Sequence, residues 1–206
     1  MSDEDKREKN YWLTTTRLES LADNVFAFAM TLLVLNLVLP DVPRECTFAA
    51  IVAMFQNLWP HLNAFAMSFI VLAIFWMLHH KQFFLINRVD GVILWNNVFI
   101  MMFVVLVPFA TQFSAKHDGV QAAELVLDAN LFILGVLFFI NWWYATYNHR
   151  LVDPGLDSKT IRRGLMKTLF MPGLALIAMG LSFFHASLSS TIYIFLPLIL
   201  YDFLKS

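Results

Sequence analysis

Charge is scarce in this chain: only 14% of its 206 residues are Asp, Glu, Lys or Arg, while 59% are apolar. That excludes an ordinary soluble domain, in which about a quarter of residues are charged, and nucleic acid is not an expected partner. Cysteine is scarcer still, and a lone Cys46 cannot close an internal disulfide. Catalytic signatures are missing as well. There is no Gly-x-Ser-x-Gly and no His-Glu-x-x-His, no carboxylate pair is expected at membrane depth, and an enzyme is not expected. No apolar segment carries regularly spaced arginines, which argues against a voltage sensor. No repeat relates the first half to the second, which disfavours an inverted-repeat transporter.

What is present is long apolar sequence, with Phe alone supplying 21 residues. A helix needs roughly 20 apolar residues to cross a bilayer. Six stretches qualify, about 17–39, 48–78, 92–114, 122–147, 164–185 and 187–204, predicting an all-α membrane protein with residues 1–206 in a single six-helix domain. Met1 to Asn10 forms a mixed-charge tail and Leu39-Pro40 is no cleavage site, so the first span is expected to be retained. With spans placed this way, 12 of the 14 Lys and Arg fall on the side of the amino terminus, and only Arg44 and Lys116 fall on the other. Cytoplasmic loops retain such cations, which predicts cytoplasmic amino and carboxyl termini. Turn chemistry appears at Asp41-Val42-Pro43, Asp90-Gly91 and Asp153-Pro154-Gly155. Trp142, Trp143, Tyr144 and Tyr147 read as an interfacial aromatic belt, with no ligand role for Asn141.

The first span is the most informative. It carries Arg17, Glu19 and Asp23 in its opening turns and Thr31 and Asn36 deeper in, all costly in lipid unless they meet partners or water. At roughly 100° per residue, Asn24, Thr31, Leu32, Leu35 and Leu39 fall within about 60° of Phe28. This stripe fits either a helix-packing seam or a pore lining whose bulky apolar rings strip water from an ion. One copy encloses nothing, so a pore requires several chains about an axis.

The second span ends in Phe75-Trp76-Met77-Leu78-His79-His80-Lys81-Gln82-Phe83. This places Trp76, His79 and His80 at the depth of Arg17 and Asp23, within reach of a polar network between helices. No metal site is expected, because adjacent histidines point about 100° apart on a helix and no Cys or Glu accompanies them.

Arg17-Leu18-Glu19-Ser20-Leu21-Ala22-Asp23 resembles the Arg-x-x-x-Phe-Ser-Asp signature of the endolysosomal potassium channel family (transmembrane protein 175) and its bacterial relatives. The run Trp76-x-x-His79-His80-x-x-Phe83-x-x-Ile86-x-x-x-Asp90 and Pro108-Phe109-Ala110-Thr111 are similar to the family's second and third helices. The resemblance implies a potassium-permeable channel without a Thr-Val-Gly-Tyr-Gly filter, assembled as a homotetramer of six-span chains with first helices lining the pore. It implies a hydrophobic constriction at Phe28, Leu32 and Leu35, and a structural network of Arg17 and Asp23 with Trp76 and His79 or His80. The implied setting is a bacterial plasma membrane, with the bilayer and copies of the chain as partners, potassium as the permeant ion and no cofactor. Two departures stand out: Leu21-Ala22 replaces Phe-Ser, and Phe28 replaces the usual Ile or Leu. A straight helix also puts Arg17 on the pore face, whereas the family pattern turns it to a neighbour. The alternative is a proton- or ion-coupled small-molecule transporter using Asp23 and the histidines.

Overall fold

The computed structural model describes residues 14–37, 47–117 and 119–184 together with Tyr193. Among these described residues, five helices are long and apolar enough to span a membrane. They are α1 (Thr15–Leu32), which tightens into a 3₁₀ turn over Leu33–Asn36, then α2 (Phe48–Leu85), α3 (Gly91–Lys116), α4 (Gln121–Thr146) and α5 (Ser158–Ser182). There is no β-strand among the described residues. The predicted span 187–204, apart from Tyr193, lies outside them, as does the turn Asp41-Val42-Pro43.

Two boundaries differ from the sequence expectation. Helix α2 continues to Leu85 instead of ending near residue 78, and α5 begins at Ser158 instead of residue 164. Hydropathy marks only the stretch that lipid would tolerate, whereas a helix runs on through polar residues until its backbone is capped or broken. At 1.5 Å per residue, 38 residues of α2 extend about 57 Å, well beyond a hydrocarbon core of about 30 Å. Its end carrying Lys81 and Gln82 therefore reaches the interface.

Local chemistry starts the helices. Thr14 and Thr47 cap α1 and α2 through their hydroxyls, accepting from Arg17 N and Ala50 N. Asp90 caps α3, its Oδ1 accepting from Ile93 N at 2.9 Å while Oδ2 accepts from Tyr144 Oη at 2.7 Å. The Asp153-Pro154-Gly155 turn closes through Asp153 Oδ1, which accepts from Gly155 N at 2.7 Å. Asn87 N donates to Leu151 O at 2.9 Å, beside an isolated Ile86 to Val152 bridge, tying the α2–α3 and α4–α5 connections together.

The core is packed from Phe26, Ala29 and Leu33 of α1, Leu72 and Phe75 of α2, Ile100 and Val104 of α3, Leu134 and Phe138 of α4, and Ala175 and Ala178 of α5. Helices α4 and α5 approach most closely where side chains vanish. A Cβ at Gly135 would sit 2.7 Å from Pro172 Cδ, and one at Gly164 would sit 2.3 Å from Trp142 Nε1. Small residues permit such approach between membrane helices. Trp142 is accordingly buried, with Nε1 donating to Ile161 O at 3.1 Å, and does not join an interfacial belt. Trp143 and Tyr147 remain exposed.

Candidate functional site

Helix α1 has two faces. Leu18, Ala22, Phe26, Ala29 and Leu33 recur at helical spacing and are buried against the other helices. Asn24, Phe28, Thr31 and Leu35 lie opposite, with Phe28 63% and Leu35 69% exposed, while Leu32 is half-buried at the flank. Apart from Leu32, the stripe therefore takes little part in the chain's own packing. Thr31 Oγ1 donates to Phe28 O at 2.7 Å, so its hydroxyl hydrogen is held by its own helix and its oxygen faces outward. Where Leu33–Asn36 tightens, Asn36 Nδ2 donates to Pro108 O at 2.9 Å and anchors that end of the helix to α3.

At the other end, α1 and α2 run antiparallel and are joined by two rungs one turn apart. Trp76 Nε1 donates to Asp23 Oδ1 at 2.8 Å, and His80 Nδ1 lies 3.1 Å from Glu19 Oε1. The four residues pair as i and i+4 on one helix with i and i−4 on the other. The five residues Arg17, Asp23, Trp76, His79 and His80 do not form one network within the chain. His80 pairs with Glu19 instead of Asp23. Arg17 is exposed on the Phe28 face, and no side chain among the described residues accepts from its guanidinium. His79 turns inward, because on α2 it sits about 100° away from His80.

Sequence reasoning missed what His79 meets. Asn97 Nδ2 is committed to Ile93 O at 2.8 Å and to Asn141 Oδ1 at 2.9 Å, so its Oδ1 accepts from His79 Nε2 at 3.0 Å. Asn141 Oδ1 also accepts from Asn96 Nδ2 at 3.0 Å, and Asn141 Nδ2 donates to Gln82 Oε1 at 2.8 Å. Gln82 Nε2 closes the set on Phe138 O at 3.0 Å. All five side chains are buried. Asn141, given no role from the sequence, is the hub that ties α2, α3 and α4 together. The available signal was four amides inside apolar runs, each needing a partner.

At the opposite end, a buried carboxylate pair corrects the expectation that none exists at depth. Glu124 and Asp128 stand one turn apart on α4, 2% and 0% exposed. Glu124 Oε1 accepts from Ser114 Oγ at 2.9 Å, and Asp128 Oδ1 from Tyr193 Oη at 2.8 Å. Periodicity places them on one helix face but does not reveal that α3 and Tyr193 cover it. No cluster of three or more His, Cys, Asp or Glu suited to a metal occurs among the described residues.

A family model described as the endosomal/lysosomal potassium channel TMEM175 matches residues 17–108. A potassium channel of Chamaesiphon minutus is 32% identical over 178 residues, 85% of this chain and 87% of that protein. The chain belongs to the TMEM175 family. A crystal structure of a lysosomal potassium-selective TMEM175 homolog from Chamaesiphon minutus superposes with a TM-score of 0.80 at 28% identity, covering 93% of this chain and 98% of that one. The human endosomal/lysosomal proton channel TMEM175 is 23% identical over 67% of this chain, which spans 29% of the human protein's length. As a TMEM175 family member the chain is an integral membrane protein of an ion-channel family, not an enzyme.

Proposed function

We propose that this TMEM175 family chain is a potassium-permeable cation channel. In this reading it is a homotetramer of six-span chains in a plasma membrane, with both termini cytoplasmic. The four first helices enclose the pore, and Phe28, Leu32 and Leu35 form its constriction, with Thr31 and Asn24 on the same face. The single observation that carries the reading is the exposed stripe on α1. Its apolar members alone would suit lipid, but Asn24 and Thr31 interleaved with them would not. Cyclic symmetry covers such a face with copies of itself and turns each stripe residue into a ring. An apolar ring supplies no carbonyl cage, so it favours the ion that sheds water more easily, which is potassium over sodium. No cofactor is required. Named potassium channels among the relatives support the same ion.

The test is recording from purified protein in bilayers under potassium, sodium and proton gradients, combined with cysteine substitution along residues 24–39 in a Cys46-free background. Potassium-favouring reversal potentials, and block by thiol reagents with helical periodicity on the Phe28 face, are expected. Block clustering at Asp23 and Ala27 would remove the pore assignment. Proton-dominated current would replace potassium as the permeant ion. Saturable flux far below channel rates would favour a coupled transporter.

A further inference from the structure

His79 is fully buried, and one of its two ring nitrogens has no partner. Nε2 carries the hydrogen, because it meets Oδ1 of Asn97, whose own amide hydrogens are committed to Ile93 O and Asn141 Oδ1. Nδ1 is therefore a bare lone pair sealed among rings. Phe83 stacks on the imidazole with centroids 4.4 Å apart, and Phe26 of α1 and Phe138 of α4 flank it, each at 6.1 Å. Asn97 Oδ1 asks for one donor, which a glutamine would supply as well. What the imidazole adds is a basic lone pair, and the packing leaves it unused.

A proton is what such a lone pair accepts. Protonation turns Nδ1 into a charged donor, and a charged donor without an acceptor in an apolar pocket is costly. Among the described residues, the charged or titratable groups that face His79 are Asp23 from α1 and His80 from its own helix. Helix α3 presents the amide of Asn97 and α4 the ring of Phe138, neither of which titrates. His80 is engaged with Glu19 and, when charged, repels a second cation. Asp23 attracts one. Its Oδ1 accepts from Trp76 Nε1, and no side chain among the described residues donates to its Oδ2. Trp76 and His79 stand three residues apart on α2, as Asp23 and Phe26 do on α1, so neighbouring positions on two facing helices hold the whole set.

We propose that His79 Nδ1 is a proton-binding site whose occupancy draws the Asp23 carboxylate from Trp76 towards the imidazolium. The proton comes from water and adds to the lone pair, while Nε2–H stays on Asn97. The Trp76 to Asp23 hydrogen bond is what is exchanged. Because Asp23 is carried by α1, uptake of the proton shifts α1 against α2 at this level. Acidification favours the shifted arrangement, since that arrangement binds the proton and the packed one does not. The inference concerns the contact between α1 and α2 and holds whether or not α1 lines a pore.

Nitrogen NMR of the full chain, isotope-labelled at the histidine and tryptophan rings and acidified through the ordinary histidine range near about pH 6.5, tests it. The titration is run in a His80→Gln background, so that the neighbouring ring does not move the Trp76 signal, and His79→Gln and Trp76→Phe assign the two resonances. At neutral pH His79 should be the Nε2–H tautomer. On acidification Nδ1 should gain a proton, and the Trp76 indole should respond at the same midpoint. In the His79→Gln chain, whose amide can still donate to Asn97, that indole response should vanish. Asp23→Asn keeps an oxygen for Trp76 but removes the charge, and should weaken proton binding at His79 about tenfold or more. A His79 that stays neutral while the chain remains folded in acid, or one that gains a proton without any change at Trp76, would overturn the site; neither reading depends on the Asp23 variant. An Asp23→Asn chain that binds the proton as tightly as its parent would overturn Asp23 as the partner.

Discussion

At Phe28 the ring is largely outside the chain's own packing, so the two roles it could play separate cleanly. A Phe inside a core loses about 3 to 5 kcal/mol on truncation to Ala, whereas an exposed ring over an ion path contributes little to the fold of its own chain. Phe28→Ala is expected to raise conductance and weaken potassium preference together. Leu35→Ala should do the same only if the narrowest ring lies at that level. Reversal potentials and unitary conductance check this. Unchanged permeation with a lowered melting temperature would mean that Phe28 packs between copies, and would pass the constriction to Leu32 or Leu35. The Phe28 face was legible from 100° periodicity, because one helix with one buried face leaves no freedom in which residues point away. Arg17 shares that face, as a straight helix requires.

At the scale of elements, the rungs between α1 and α2 make a prediction about coupling. Asp23→Ala and Trp76→Phe remove the two ends of one hydrogen bond. Each should cost about 1 kcal/mol, and their effects should be clearly non-additive. Asp23→Ala and His80→Ala belong to different rungs linked only by the Trp76–His80 ring contact, so their coupling should be smaller than that within one rung. A thermal or denaturant double-mutant cycle decides between this and a single shared network. The sequence put the right helices side by side, but it grouped Asp23 with His79 or His80 and left Glu19 without a part in the pairing. Glu19 and Asp23 are one turn apart, and only the axial offset between α1 and α2 selects which of them His80 meets.

For the molecule as a whole, cohesion at the end of the bundle where α2 gives way to α3 rests on the buried amides as much as on apolar packing. Asn141→Leu preserves volume but leaves the buried Gln82 Oε1 without its donor and takes one of two acceptors from each of Asn96 Nδ2 and Asn97 Nδ2. At about 1 to 3 kcal/mol for each buried group left unmatched, it should be among the most destabilising single changes in the bundle. The exposed Ile140→Leu next to it should be nearly neutral. Melting of the purified protein in detergent compares the two directly. An Asn141→Leu protein as heat-stable as the wild type would show that the amides find other partners and that the hub is dispensable.

The order of apolar runs by itself determined that this is an all-helical membrane protein and where the described spans lie, because lipid offers no partner to a backbone that is not helical. Residue order in the first three spans also carried the family resemblance, and that of the first the outward stripe, since periodicity and local spacing are properties of a single helix. The burial of Trp142, the pairing of Glu124 with Ser114 and the Asn141 hub were decided only by tertiary structure. Each depends on which residue of a second helix stands opposite. That register is set by the summed packing of the whole bundle, through close approaches such as Gly135 on Pro172 and Gly164 on Trp142, and no single segment encodes it.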